Sequence, residues 1–179
     1  MSKNKRYSLA LVCMISAGWA FLPLNKWEIA PGYQIRFYSN DPSGEFTNFK
    51  GEIVFDEEAP EQSHFHVSIE AGSIDTGNWL KNRHARGKDW LNTDEYPFIE
   101  FTSSKVSRRT KGYEVTGILS MHGVRKEIMI PFAFVNRTFS GTCQVNRLDF
   151  GIGNSTGVHA KADTLLQIDI TVPVTRKPD

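Results

Sequence analysis

From Trp27 onward, apolar side chains recur at every second position. Trp27, Ile29, Tyr33, Ile35 and Phe37 share one parity, and Phe49, Ile53 and Phe55 form the next set. Phe65, Val67 and Ile69 follow, then Ile99 and Phe101, then Tyr113, Val115, Leu119 and Met121. Ile128, Ile130, Phe132 and Phe134 make a sixth run, and Phe139, Cys143 and Val145 a seventh. Leu166, Ile168, Ile170, Val172 and Val174 make the eighth. The positions between them are mostly polar. A period of two puts the apolar and polar sets on opposite faces of a strand. The pattern therefore predicts eight strands with one dry and one wet face, each roughly 11–13 residues long with ragged ends.

Turn-forming residues separate these runs. Ser39 to Gly44, Asp56 to Pro60, Arg109 to Gly112 and His122 to Val124 carry the Gly, Pro, Asn and Asp that tight turns use. Short connections imply antiparallel neighbours. One segment breaks the period. Trp79, Arg83, Arg86 and Trp90 stand at helical spacing after Asp75 and Thr76, either of which can cap a helix. A short helix anchored by its tryptophans is expected between the third and fourth strands. The stretch from Gly151 to Lys161 is rich in Gly, Asn, Ser and Thr and reads as a mobile loop.

Eight antiparallel strands can form a sandwich or a closed barrel. Strands of about a dozen residues exceed the usual sandwich length and suit a tilted barrel wall. A barrel of eight strands has room for one small ligand, and this inner face would be apolar. A solid core is the competing reading, because alternation does not measure a cavity. Gly117 and Gly141 fall at apolar-parity positions, where they would leave room inside or mark bends.

The chain has 179 residues, including 12 Phe, 5 Tyr and 4 Trp, and a formal net charge of +1. That length suits one domain with a sizeable core. Lys3, Lys5 and Arg6 supply positive charge at the start, and the remainder is slightly acidic. This balance argues against a nucleic-acid partner, which needs a basic footprint, and against a strong pull to an anionic membrane. The basic start, the apolar run from Leu9 to about Ala20, and Gly18 and Ala20 at cleavage-site spacing predict a signal peptide over residues 1–20 and an exported domain over 21–179. An uncleaved anchor, or a lipoprotein signal at Cys13, is the lesser alternative. After cleavage Cys143 would be the one cysteine left, so no internal disulfide is expected, and on a strand it reads as a small core residue.

Several segments resemble signatures of the YceI family, in family order. They are Gly44-Glu45-Phe46, Gly51 to Asp56, Ser73 to Asn78, Asp94 to Phe101, Gly117 to Lys126 and Asn146 to Gly151. The resemblance spans about Trp27 to Val174. It implies a lipocalin-like barrel, usually periplasmic, with an internal channel for a polyisoprenoid chain. This chain departs from the family pattern where Tyr38-Ser39 and His84-Ala85 replace common histidine and leucine positions.

The predicted apolar lining is Phe37, Phe55, Phe65, Val67, Phe101, Leu119, Ile130, Phe132, Ile168 and Ile170. Arg83, His84 and Arg86 on the helix could meet a ligand's polar head, an arginine fork suiting a phosphate. The bland alternative is a plain surface helix. His64 and His66 share a strand face and could hold a metal if a third ligand converged, but that face is the polar one. His122 precedes Gly123 and reads as a turn residue. His159 falls in the predicted mobile loop. Arg147 and Asp149 share a parity and could pair at a strand end. Asn136-Arg137-Thr138 and Asn154-Ser155-Thr156 match the short glycosylation pattern. No catalytic triad spacing, phosphate loop, dinucleotide motif or zinc-protease helix stands in the sequence. The expectation is a periplasmic, non-enzymatic carrier of an isoprenoid or other lipid-like small molecule, without a cofactor or metal. The alternatives are an enzyme acting on a lipid or quinone, a stress-related protein with a metal or small-molecule site, and a ligand-free interaction domain. Residues at the barrel mouth could support a homodimer, though no patch demands one.

Overall fold

A computed structural model describes residues 25–153 and 163–177. The predicted signal segment, Cys13, Asn154 to Thr156, His159 and most of the predicted mobile loop lie outside the described residues. In chain order the described elements are β1 (Lys26–Ile29), β2 (Gln34–Tyr38), β3 (Gly44–Phe46), β4 (Phe49–Val54), β5 (His64–Glu70), β6 (Ile74–Asp75), α1 (Trp79–Arg86), β7 (Phe98–Arg108), β8 (Tyr113–Met121), β9 (Val124–Val135), β10 (Thr138–Asn146) and β11 (Leu165–Arg176).

These segments close into an eight-stranded antiparallel barrel with one helix. Each of its first three strands is interrupted. β1 and β2 are two halves of the first, parted by Pro31, which lacks an N–H, and Gly32, at φ 91°. Both halves pair with β11, from Trp27 opposite Arg176 to Tyr38 opposite Gln167, and this pairing closes the barrel. β3 and β4 form the second strand. The Tyr33 hydroxyl bridges their break, donating to the Thr47 carbonyl at 2.8 Å and accepting from the Phe49 N–H at 3.2 Å. β5 and β6 form the third, parted by a turn of 3-10 helix at Ala71–Ser73. The later strands run 9 to 12 residues. The uniform length expected from alternation therefore fails for the first three, where backbone breaks interrupt a pattern the side chains continue.

The helix lies between the third strand and β7, as its spacing predicts. Its cap is Asn78, not Asp75 or Thr76: the Asn78 side-chain oxygen accepts from the Leu80 and Lys81 N–H groups at 3.0 and 3.1 Å. Asp75 instead accepts from the Asn82 side chain and the Gly77 N–H, and those bonds hold its carboxyl below the usual carboxylate range. Trp79 does not anchor the helix, since it is 74% exposed. The helix ends at Arg86, so Trp90 lies beyond it, in the following turn.

One end of the barrel is packed with rings. Phe55, 1% exposed, sits with its ring centroid 5.0 to 5.6 Å from those of Tyr113, Phe132, Phe134 and Phe139. Trp27 closes on Phe134 at 5.2 Å and donates its indole N–H to the Phe55 carbonyl. Edge-to-face contacts dominate this floor, as ring quadrupoles favour.

Candidate functional site: an apolar cavity open at one end

Above the aromatic floor the barrel is hollow. The cavity has a volume of about 860 Å³, toward the upper end of the roughly 300–1,000 Å³ typical of small-molecule pockets. Side chains of the dry face line it. Many are only half-buried despite pointing inward, Phe65, Val67, Ile130, Ile168 and Ile170 among them. A solid core would have covered them completely.

The structure places most of the predicted lining on this wall. Phe37 stands near the mouth, and Phe65 and Val67 project from β5. Phe101 and Leu119 come from the paired strands β7 and β8. Ile130 and Phe132 come from β9, and Ile168 and Ile170 from β11. Phe55 is the exception: it lies just past the end of β4 and is spent in the floor. Gly117 leaves no room inside either. A Cβ there would stand 2.7 Å from the Phe101 ring and 2.8 Å from Ser103, beside the register shift between β7 and β8. Gly141, by contrast, lines the cavity.

The charged side chains of the wall gather at the mouth. They come from the β2–β3 connection, from α1 and the turn after it, and from the segments joining β10 to β11. Of the three helix residues considered for a ligand's polar head, Arg83 and His84 line the mouth. Arg86 does not, because its guanidinium donates to the Ile74 carbonyl at 3.1 Å beneath the helix. Lys81 and Lys88 stand at the mouth too, Lys81 paired with Asp41. A helical face does not reveal which of its cations already has a partner.

Arg147 belongs to the same rim and was not among the expected ligand contacts. It is 2% exposed and donates from Nε to the Asp163 carbonyl at 2.8 Å and from Nη1 to the Ile152 carbonyl at 2.7 Å. The expected Arg147–Asp149 pair does not form. Both residues lie in a 3-10 turn, Arg147–Phe150, where strand parity does not apply. Asp149 meets Lys126 instead, at 3.5 Å.

Cys143 faces the cavity from β10. Burial, followed by the nearby Asp169 carboxylate, pushes its thiol up to about 11. At neutral pH it is a small apolar lining group and not a nucleophile. His64 and His66 are exposed on the opposite face of β5, where His66 Nδ1 lies 3.0 Å from Thr102 Oγ1. His122 occupies the β8–β9 turn at φ 53° and donates from Nδ1 to the Phe150 carbonyl at 3.0 Å. Among the described residues, no group of three or more His, Cys, Asp or Glu side chains gathers as a metal site would require.

Residues 27–174 match the family model described as a YceI-like domain. The UPF0312 protein of Photorhabdus laumondii is 31% identical over 137 residues, covering 70% of this chain and 71% of its own length. The UPF0312 protein of Yersinia enterocolitica is 30% identical over 124 residues, 64% of this chain and 65% of its own length. Among solved structures, Burkholderia cenocepacia BcnA superposes with a TM-score of 0.74 at 24% identity, covering 80% of this chain and 96% of that one. A polyisoprenoid binding domain from Saccharophagus degradans, implicated in plant cell wall breakdown, gives 0.62 at 16% identity and covers 87% of this chain and all of its own. At these identities the structural likeness is one of fold.

Proposed function

We propose, from the premise that this chain belongs to the YceI-like domain family, that it is a binding protein holding an isoprenoid or similar lipid-like chain inside its barrel. One observation carries this reading: a barrel packed with rings at one end and hollow above them, with an apolar wall and charge confined to the rim. Such a cavity suits an elongated apolar body with a polar head at the mouth. Burial of the chain supplies the affinity, at roughly 25 cal/mol per Å² of apolar surface before ordering costs. The polyisoprenoid-binding domain of the same fold supports this ligand class.

The same reading makes the protein a carrier or buffer and not an enzyme. Two of the cations at the rim are committed to holding the mouth together, Lys81 by its pair with Asp41 and Arg147 by its carbonyl bonds. The proposed place of action is the periplasm, reached through the basic and apolar start of the sequence.

The test is mass spectrometry of an organic extract from the full chain, purified under mild conditions from the cell that makes it. A stoichiometric isoprenoid or quinone is the expected result and names the guest. Protein that carries no lipid, and takes up none when offered prenyl alcohols, defeats the reading.

A further inference from the structure

The barrel wall is not laddered evenly. β8 and β9 pair without a break from Tyr113 opposite Phe132 to Met121 opposite Val124. β10 and β11 pair without a break from Thr138 opposite Pro173 to Asn146 opposite Leu165. Between β9 and β10, however, only Phe132–Val135 pair with Thr138–Gly141. From Pro131 and Thr142 up to the mouth, no ladder joins the two strands.

Pro131 sets where the ladder stops. Its carbonyl faces β10, since a Cβ on Gly141 would stand 2.8 Å from that oxygen. A strand residue directs its N–H and C=O to the same side. The N–H that proline lacks is therefore missing from the edge facing β10. Beyond this point side chains cross the seam. Lys126 reaches Asp149 at 3.5 Å, with both side chains about half exposed, and His122 bonds to the Phe150 carbonyl at the mouth. An exposed ion pair holds far less firmly than a ladder of backbone bonds.

The seam is also apolar through its depth. Ile128 and Ile130 on β9, and Cys143 and Val145 on β10, line the cavity behind it. Met129, between those isoleucines, is 55% exposed on the outer face, and Pro131 beside it is exposed as well. The mouth offers an apolar chain the opposite environment, a rim of Lys81, Arg83, His84, Lys88 and Arg147. Passing a hydrocarbon there would strip water from charged groups.

We propose that the β9–β10 seam is a lateral port through which an elongated apolar ligand enters and leaves the barrel. This rests on the lipid-binding reading above. The polar head then stays at the rim while the chain slides in through the wall, and the Lys126–Asp149 pair is the strap across the port.

The test uses the full chain in a Cys13→Ser, Cys143→Ser background, with Lys126→Cys and Asp149→Cys joined by a reducible bifunctional maleimide. The probe is parinaric acid, a fluorescent elongated polyene followed by stopped flow. Closing the port should slow both uptake and release by about tenfold or more, while the equilibrium Kd moves less than about twofold, because only the path is blocked. Reducing the linker should restore both rates. A second variant, Lys126→Ala, cuts the strap and should speed both rates. Cross-linked protein that exchanges probe as fast as its reduced form overturns the port alone, as does Lys126→Ala exchanging at the parent rate. Failure of the unmodified chain to take up the probe overturns the port together with the reading it rests on.

Discussion

The guanidinium of Arg147 lies over the indole of Trp90, 5.1 Å from the ring centroid, while its N–H groups bond to the carbonyls of Ile152 and Asp163. One buried side chain thus ties the turn after α1, the end of β10 and the approach to β11 into a single rim. Gly153 belongs to the same arrangement, since a Cβ there would stand 2.7 Å from Arg147 Nη1.

Arg147→Ala should lower stability by about 3 kcal/mol, from lost charge-assisted bonds, stranded carbonyls and the lost cation–π contact. Arg147→Lys should recover less than half of that, because an ammonium cannot reproduce the planar fork. Guanidinium unfolding midpoints at constant slope measure both. A lysine variant as stable as the parent would show that charge alone is what the rim requires.

The aromatic floor makes Phe55 a stability residue. Phe55→Ala opens a void among five rings and should cost about 3–5 kcal/mol. Thermal unfolding of the two proteins gives the comparison. A loss under about 1 kcal/mol would mean that the neighbouring rings collapse into the space.

Ligand retention should follow the face a residue occupies. Ile168→Asp places a carboxylate on the apolar wall and should abolish uptake of a lipid probe. His64→Ala changes the exposed outer face and should bind as the parent does. Equal retention by the two variants in a fluorescence titration would contradict the assigned inner face.

Cys143 predicts a pH dependence with a definite sign. Its folded pKa of about 11 lies above the ordinary thiol value of 9.0. Between those values the unfolded chain sheds a proton that the folded chain keeps, so the unfolded state binds fewer protons and stability falls as pH rises. The contribution is complete below the ordinary value and is lost as pH passes through the folded one. Cys143→Ala should flatten this part of the stability profile. Alkylation at Cys143 in a folded Cys13→Ser chain at pH 8 should be far slower than that of a free thiol. Rapid alkylation at that pH would place the thiol in water.

Much of this fold is legible in the sequence. The parity that sets Phe65, Val67, Ile130 and Ile168 apart from their polar neighbours is the parity of the barrel wall. The family resemblance of the segments between Trp27 and Val174 coincides with the matched family model. The helix was legible as a break in period, but not its cap, because Asp75, Thr76 and Asn78 are all competent caps and only the backbone entry angle chooses Asn78.

What could not be read is depth and partnership. Phe55 and Ile53 share a parity, yet Phe55 lies in the floor while Ile53 lines the cavity. Arg83 and Arg86 lie on one short helix, yet one stands at the mouth and the other bonds to the Ile74 carbonyl. Pro131 is visible as a proline within a strand pattern, but not which of its two edges lacks a donor.

Strand count, the inward face of each strand and the apolar character of the interior are written in the alternation along the chain. These are properties of residues a few positions apart, and a period of two records them locally. The hollow interior, the rings packed at one end, the cations gathered at the other and the seam left without a ladder emerge only in the closed barrel. Those depend on how the sheet closes, and closure joins residues as distant in sequence as Trp27 and Arg176.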